Sequence, residues 1–287
     1  ILPVILYHSG ITIFSGGYVG VDVFFVISGF LISSQIIEEK KNNKFSIINF
    51  YERRIRRIAP ALFFVILVSI PIFWIVMASH QYKDFSESIF ATVFFSSNIL
   101  FWLESGYFET ASELKPLLHT WSLAVEEQFY IFIPLLFIIF WNYGKKLLLL
   151  VFSLIFLTSF IAMEIVRVND SDLAFYFLFF RMWELVLGLL IALIINRVDI
   201  KDKFKNIISF IGLLFIILPI FIFNNLTPFP SVYTLLPVLG TSLILLFCNK
   251  NVLIYQFLNL RILKFIGLIS YSAYLWHQPI FVFSRLN

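Results

Sequence analysis

Long apolar runs separated by short polar connections dominate this chain. The ten runs are Ile1–Phe14, Tyr18–Ile37, Ala59–Ser79, Ser88–Leu103, Ser122–Trp141, Leu147–Val166, Ala174–Asn196, Ile207–Phe223, Val232–Cys248 and Phe265–Phe283. Most of them approach the roughly 20 residues that a helix needs to cross a bilayer. They are apolar on every face and lack the alternation of barrel strands, which favours helices. The pattern predicts an all-α integral membrane protein, a polytopic helical bundle of about ten apolar segments in one domain spanning residues 1–287.

Composition agrees with a membrane location. Hydrophobic residues make up 60% of the chain and charged residues 13%, whereas soluble domains have about 45–50% and 25%. The mean hydropathy is +0.94. The net charge of +4 is spread over connections between apolar runs, without the aromatic-interleaved basic stripe of a nucleic-acid site. The single cysteine, Cys248, excludes an internal disulfide and a cysteine-ligated metal cluster.

Basic connections predict the orientation of the bundle. Residues 38–57 are rich in Lys and Arg, so this connection should be cytosolic and the one after His8 should lie outside. The later basic stretches at 145–146, 197–205 and 261–264 fall on the cytosolic side only if Ser88–Leu103 does not cross. We therefore predict nine crossings and one re-entrant or surface-lying segment, packed against the bundle centre because lipid does not tolerate uncovered irregular backbone.

His8 is an ionisable side chain inside an apolar region, where such groups are costly. It is either a hydrogen-bonded structural histidine or a general base or nucleophile, since imidazole titrates near neutral pH. Asp22 lies near the start of the next span, and the short connection makes the two spans antiparallel neighbours. We predict that Asp22 contacts His8 and orients its ring.

Four arginines, Arg53, Arg54, Arg56 and Arg57, crowd the sequence FYERRIRRIAP. They can serve simply as the signal that keeps this connection in the cytosol. They also suit phosphate recognition, because a guanidinium group forks onto two phosphate oxygens. Coenzyme A, a nucleotide or an anionic lipid head group would each fit.

The sequence HTWSLAVEEQFY carries Glu126 and Glu127 near the start of a helix. A favourable interaction with the helix dipole explains them; alternatively one of them, rather Glu126, accepts a proton or binds a sugar hydroxyl. Adjacent residues point about 100° apart on a helix, so the two are not a paired acid and base.

Further polar groups occur in two later spans. Arg181 and Glu184 are three residues apart and should share a helix face as an ion pair, either structural or functional. Tyr271 and His277 belong to a polar stripe in the last span, which an interfacial aromatic belt explains equally well. A phosphate-binding glycine loop, a HExxH motif and a GxSxG motif are all missing from the sequence, and no metal site is predicted.

Five strings together resemble acyltransferase family three, the membrane proteins that include bacterial O-antigen and peptidoglycan O-acetyltransferases. They are SGGYVGVDVFFVISGFLIS, FYERRIRRIAPAL, PLLHTWSLAVEEQFY, RMWELVLG and GLISYSAYLWHQP. The resemblance implies transfer of an acyl group, usually acetyl, from cytosolic acetyl-CoA to a hydroxyl of an extracytoplasmic glycan such as lipopolysaccharide O-antigen. It assigns the catalytic histidine to His8, whose partner arginine would precede Ile1. Its RxxR pattern falls on Arg54 and Arg57, with Arg53 and Arg56 as an overlapping frame.

The resemblance also implies a multi-pass protein of the bacterial inner membrane, with lipid, acyl-CoA and a glycan as partners, no nucleic acid and no permanently bound cofactor. Because the first span is short, we expect a fragment whose first helix is truncated at its N-terminus. Relatives with the same final motif carry a further helix and a periplasmic esterase-like domain, which would follow residue 287 here. Within this reading His8, Asp22 and Glu126 are catalytic, and Arg53, Arg54, Arg56 and Arg57 bind coenzyme A. The polar interior consists of Trp121, Glu127, Arg181, Glu184, Tyr271 and His277. The alternatives are a proton-coupled transporter of a small solute and a non-catalytic scaffold for glycan assembly.

Overall fold

A computed structural model describes residues 1–105, 112–195 and 200–286, and every regular element in these ranges is helical. The first six helices are α1 (Leu2–His8), α2 (Gly20–Lys41), α3 (Ile47–Val76), α4 (Ser79–Val93), α5 (Ser97–Leu103) and α6 (Thr120–Phe140). The remaining helices are α7 (Lys145–Val166), α8 (Ser171–Tyr176), α9 (Leu178–Ile194), α10 (Asp202–Ile222), α11 (Leu235–Phe247), α12 (Leu253–Leu258) and α13 (Arg261–Leu286).

Six helical segments within the described ranges are long and apolar enough to cross a membrane. They are Gly17–Lys41, Ile47–Val76, Thr120–Tyr143, Lys145–Val166, Ser171–Ile194 and Asp202–Ile222. Val232–Phe247 is apolar but shorter. The protein is thus a helical membrane protein, whereas the predicted total of about ten segments is not confirmed. The predicted basic stretch from residue 197 lies partly outside the described residues.

The segment Ser88–Leu103 is not one helix. Phe95 adopts a φ of 52° and separates α4 from α5. The amide of Gln128 on α6 donates a hydrogen bond of 2.9 Å to the Phe95 carbonyl, and a second one of 2.9 Å to the amide oxygen of Asn98. The neighbouring helix therefore satisfies the backbone carbonyl at the break. That this segment is re-entrant stays a prediction.

Two glycines let α2 and α9 approach unusually closely at the centre of the bundle. A Cβ atom on Gly29 would lie 1.9 Å from the carbonyl oxygen of Leu185, and one on Gly188 would lie 2.0 Å from that of Val26. Any side chain at either position would force the helices apart. This approach brings the beginnings of both helices together, which positions the charged residues described below.

Candidate active site

Three histidines from distant parts of the chain meet at one end of the bundle, which we call the His8 end. His8 ends α1, His119 immediately precedes α6, and His277 lies in the second half of α13. The His277 Nε2 and His8 Nδ1 atoms are 3.2 Å apart, and the rings of His8 and His119 each lie 5.2 Å from that of His277. Within the described residues no group of His, Cys, Asp and Glu side chains is arranged to hold a metal ion.

The hydrogen bonds of this cluster determine which nitrogen of His8 can react. His277 Nδ1 lies 2.5 Å from the Tyr274 carbonyl oxygen, which can only accept, so this nitrogen carries the proton. In a neutral ring Nε2 then accepts, and its partner, Nδ1 of His8, must donate. A neutral His8 therefore keeps an unprotonated Nε2, which is the atom that a general base or a nucleophile uses.

Sequence reasoning missed His119 and Arg285. The imidazole of His119 is 4% exposed, and neither ring nitrogen has a hydrogen-bond partner among the described residues. Arg285, near the end of α13, donates 2.7 Å and 2.9 Å hydrogen bonds to the carbonyls of His8 and Glu113. Arg285 thus ties the end of α1 to α13. The signal for His119 was its spacing from Ser122 and Glu126, which places all three on one helix face.

Asp22 pairs with Arg181 and not with His8, contrary to the prediction. Its Oδ1 atom accepts a hydrogen bond from Arg181, while Oδ2 has no partner among the described residues. The residues between His8 and Asp22 form 3₁₀ turns at Thr12–Phe14 and Gly17–Val19. Asp22 then lies on the side of α2 that faces α9. His277 is the side chain that orients His8 instead. The same finding removes the step from His8 to Asp22 in the alternative of a proton relay through His8, Asp22 and Arg181.

Arg181 is the centre of a buried ion cluster that joins α2 to α9. Its Nη2 and Nε atoms lie 3.1 and 2.9 Å from the two carboxylate oxygens of Glu184, and it also binds Asp22. Four aromatic rings surround the guanidinium at 5.2–5.8 Å from their centroids; they belong to Phe25, Trp121, Phe175 and Phe229. The predicted pair of Arg181 and Glu184 is confirmed, with Trp121 packed against it.

A polar face of α6 leads away from the histidines. His119, Ser122, Glu126 and Tyr130 are spaced by three and four residues, so they share one face over roughly 16 Å of helix. The Tyr274 hydroxyl on α13 lies 2.6 Å from the Ser122 hydroxyl and donates to the His119 carbonyl at 2.8 Å. Glu126 is buried, and its Oε1 atom has no partner among the described residues.

The other end of this face reaches the arginine cluster at the start of α3. Tyr130 hydrogen-bonds Ser28 of α2, and Glu127 lies within electrostatic range of Arg54. Tyr271 on α13 donates a 3.1 Å hydrogen bond to the carbonyl of Ile58, directly after the arginines. The polar groups between His8 and the arginines therefore form a column between α6 and α13, which we call the polar column.

The two overlapping arginine pairs, Arg53 with Arg56 and Arg54 with Arg57, differ in their ion pairs. Arg53 is paired with Glu39 and Arg56 with Glu52, each at 2.6 Å. Among the described residues, Arg54 and Arg57 form no ion pair; Arg54 donates only to the Gln35 amide oxygen at 3.3 Å. The frame of Arg54 and Arg57 therefore keeps its guanidinium groups available for an external anion.

Comparisons with known proteins place this geometry in context. A family model described as an acyltransferase domain matches residues 1–286. An uncharacterized protein of Haemophilus influenzae is 35% identical over 245 residues, 80% of this chain and 98% of that protein. The O-acetyltransferase OatA of Staphylococcus aureus is 30% identical over 297 residues, 99% of this chain and 49% of OatA.

YrhL of Bacillus subtilis, which carries a provisional name as a peptidoglycan O-acetyltransferase, is 29% identical over 301 residues, 99% of this chain and 47% of YrhL. This chain thus spans about half the length of OatA and YrhL. No solved structure matches it. Because the family model covers nearly the whole chain, this protein belongs to acyltransferase family three.

Proposed function

We propose that this protein transfers an acyl group, most simply acetyl, from cytosolic acyl-CoA to a hydroxyl of a periplasmic or cell-surface glycan. Family membership and the names of OatA and YrhL support O-acetylation. The observation that carries the proposal is the polar column, which runs from an unprotonated histidine nitrogen to two arginines that form no ion pair among the described residues. The acceptor is a peptidoglycan strand or a lipopolysaccharide O-antigen.

Arg54 and Arg57 would bind the phosphates of the donor. Guanidinium groups form short, charge-assisted hydrogen bonds to phosphate oxygens, and these two are not already neutralised by Glu39 or Glu52. The acyl-bearing arm of coenzyme A is long enough to reach inward from a phosphate site. In this arrangement its thioester lies along α6, beside Ser122 and Glu126.

His8 can act by either of two routes. In direct transfer, its Nε2 accepts the proton of the acceptor hydroxyl while the oxygen attacks the thioester carbonyl. The new C–O bond forms, the C–S bond breaks, and the coenzyme A thiolate leaves and takes up a proton. The products are an ester and free coenzyme A, and His277 stabilises the charge that His8 carries in between.

In the covalent route, Nε2 of His8 attacks the thioester carbonyl and the C–S bond breaks. Coenzyme A leaves as a thiolate that takes up a proton from solvent, and the ring becomes an acyl-imidazolium that still carries its Nδ1 proton. The acceptor hydroxyl then attacks this acyl group, the C–N bond breaks, and the hydroxyl proton returns to the ring. His277 Nε2 can take the Nδ1 proton of His8 while the acyl group is attached, because the two nitrogens are 3.2 Å apart.

Membrane vesicles supplied with radiolabelled acetyl-CoA test this proposal, with ester-linked acetate on the host glycan as the readout. His8→Ala should lower transfer by about 10²- to 10⁴-fold, the usual contribution of a general base. Acid-quenched wild-type protein that carries label, lost in His8→Ala, would select the covalent route. Undiminished transfer by His8→Ala would contradict the proposal.

A matched pair of arginine variants tests the donor site in the same vesicles. Arg54→Ala should raise the KM for acetyl-CoA about tenfold, since it removes a charge-assisted contact to phosphate. Arg56→Ala removes an equal charge from the same turn, but that side chain is exposed and already paired with Glu52, so its KM should stay near the wild-type value. Equal effects of the two variants would exclude a specific phosphate site at Arg54.

A further inference from the structure

A continuous row of aromatic rings leads away from His8 across the same end of the bundle. The ring centroids of His8 and Tyr7 are 5.1 Å apart, those of Tyr7 and Tyr18 5.4 Å, and those of Tyr18 and Phe229 4.6 Å. Phe175 follows at 6.2 Å from Phe229. We call Tyr7, Tyr18, Phe229 and Phe175 the aromatic row. Its members come from four separate segments: α1, the turn before α2, the connection after α10, and α8.

The four rings are less buried than the aromatic residues of the core. Each is only partly buried, whereas the aromatic residues of the bundle centre such as Phe129 and Trp183 are completely buried. An interfacial belt, the usual explanation for such residues, distributes aromatic rings around the lipid-facing perimeter. Here the rings contact one another across four segments and end at a histidine with a reactive nitrogen. That arrangement is typical of the wall of a binding site.

Polar groups accompany the row at two places. The hydroxyl of Tyr18 hydrogen-bonds the side chain of Thr227 and lies 3.5 Å from the carbonyl oxygen of Asn224. At the far end the row borders Arg181, whose buried Nη1 atom has no partner among the described residues. Aromatic rings with a hydroxyl group beside them suit a ligand with an apolar face and a hydroxyl-rich edge.

We propose that the aromatic row binds the sugar rings of the acceptor glycan, and this inference rests on the proposed function. The C–H groups on one face of a pyranose pack against aromatic rings, while its hydroxyls require hydrogen-bond partners at the edge. A sugar unit stacked on Tyr7 has its ring next to His8, and units further along the chain occupy Tyr18 and Phe229. The row thus sets which hydroxyl of the glycan reaches Nε2 of His8.

Binding measured without turnover tests the row. The probes are an N-acetylglucosamine tetramer and a rhamnose-containing O-antigen oligosaccharide, added to the His8→Ala protein in nanodiscs and followed by calorimetry. We expect at least one probe to bind. Tyr18→Leu and Phe229→Leu should each weaken its binding by about threefold to tenfold, the range of one aromatic contact. Tyr18→Phe and Phe229→Tyr keep a ring and should bind nearly as the parent does, which separates loss of stacking from misfolding.

Phe221→Leu is the matched control. Its exposed ring contacts Phe14 at the same end of the bundle, at 5.5 Å, outside the row, so its affinity for either probe should be unchanged. Failure of both probes to bind, or unchanged affinity in Tyr18→Leu and Phe229→Leu, would overturn the inference. Release of coenzyme A from acetyl-CoA by protein with an intact His8 is measured separately. If that release and all transfer are absent, the proposed function fails, whatever the binding result.

Discussion

A single backbone carbonyl determines which ring nitrogen of a neutral His8 carries the proton. The Tyr274 carbonyl holds the proton on Nδ1 of His277, and the remaining nitrogen of that ring accepts from His8. The role that we had assigned to the Asp22 carboxylate is thus filled by a neutral imidazole. A neutral partner orients the ring without adding a buried negative charge next to it.

His277→Phe tests this role at the residue scale. The phenyl ring preserves bulk but cannot accept a proton, so kcat should fall by about tenfold to hundredfold, as when an orienting partner of a functional histidine is lost. The KM for acetyl-CoA should not change, because the arginine cluster lies at the other end of the polar column. His277→Gln retains an amide acceptor and should recover part of kcat. A rise in KM at constant kcat would point to a purely structural role.

At the scale of helices, the pairing of α2 with α9 combines a close backbone approach with a buried charge cluster. Gly29 and Gly188 allow the contact, and Arg181 binds Asp22 and Glu184 across it. The charges are completely buried, so their attraction offsets a large desolvation cost only while all partners are present. This cluster holds the beginnings of α2 and α9 together. Trp121 and the Phe229 end of the aromatic row pack directly against its guanidinium group.

Arg181→Met should therefore lower the free energy of unfolding by about 3–5 kcal/mol, since it leaves two carboxylates buried without a cation. The triple variant Asp22→Asn, Arg181→Met, Glu184→Gln contains no charge and should recover much of that loss. Thermal unfolding in detergent measures both effects. Lys83→Ala, which breaks an exposed pair with Glu87, is the control and should stay within about 0.5 kcal/mol of the parent. An Arg181→Met protein as stable as the parent would refute the anchoring role.

For the whole molecule, the interrupted segment of α4 and α5 decides on which side later helices emerge. Charge balance alone predicts that this segment does not cross, because a crossing would place three basic connections outside. The structure adds the break at Phe95 and the hydrogen bond that Gln128 donates to its carbonyl. Neither feature could be recognised in the sequence, since a polar residue in a span is equally compatible with many partners.

Accessibility labelling tests this topology in a Cys248→Ser background, which removes the only native thiol. If the segment does not cross, Asn42→Cys and Asn142→Cys should react only from the cytosolic side, and Ser105→Cys only from outside. All three positions are exposed in the structure. Labelling of Asn142→Cys from outside, together with Ser105→Cys from the cytosol, would show that the segment crosses.

The sequence by itself determined that this is a helical membrane protein and the family to which it belongs. Apolar run length is a local property that the bilayer thickness interprets directly, and the motif strings carry His8 and the arginines. The spacing of Arg181 and Glu184 also predicted their contact, because residues three apart on a helix are neighbours by geometry.

Only the tertiary structure decided which partners these groups have. Helices that are apolar on all sides do not encode which face turns inward, so the orientation of Asp22 toward α9 could not be derived from periodicity. His8 and His277 are separated by 269 positions, and their contact depends on how α1 and α13 pack. That Arg53 is paired while Arg54 forms no ion pair among the described residues likewise depends on where Glu39 lies after folding.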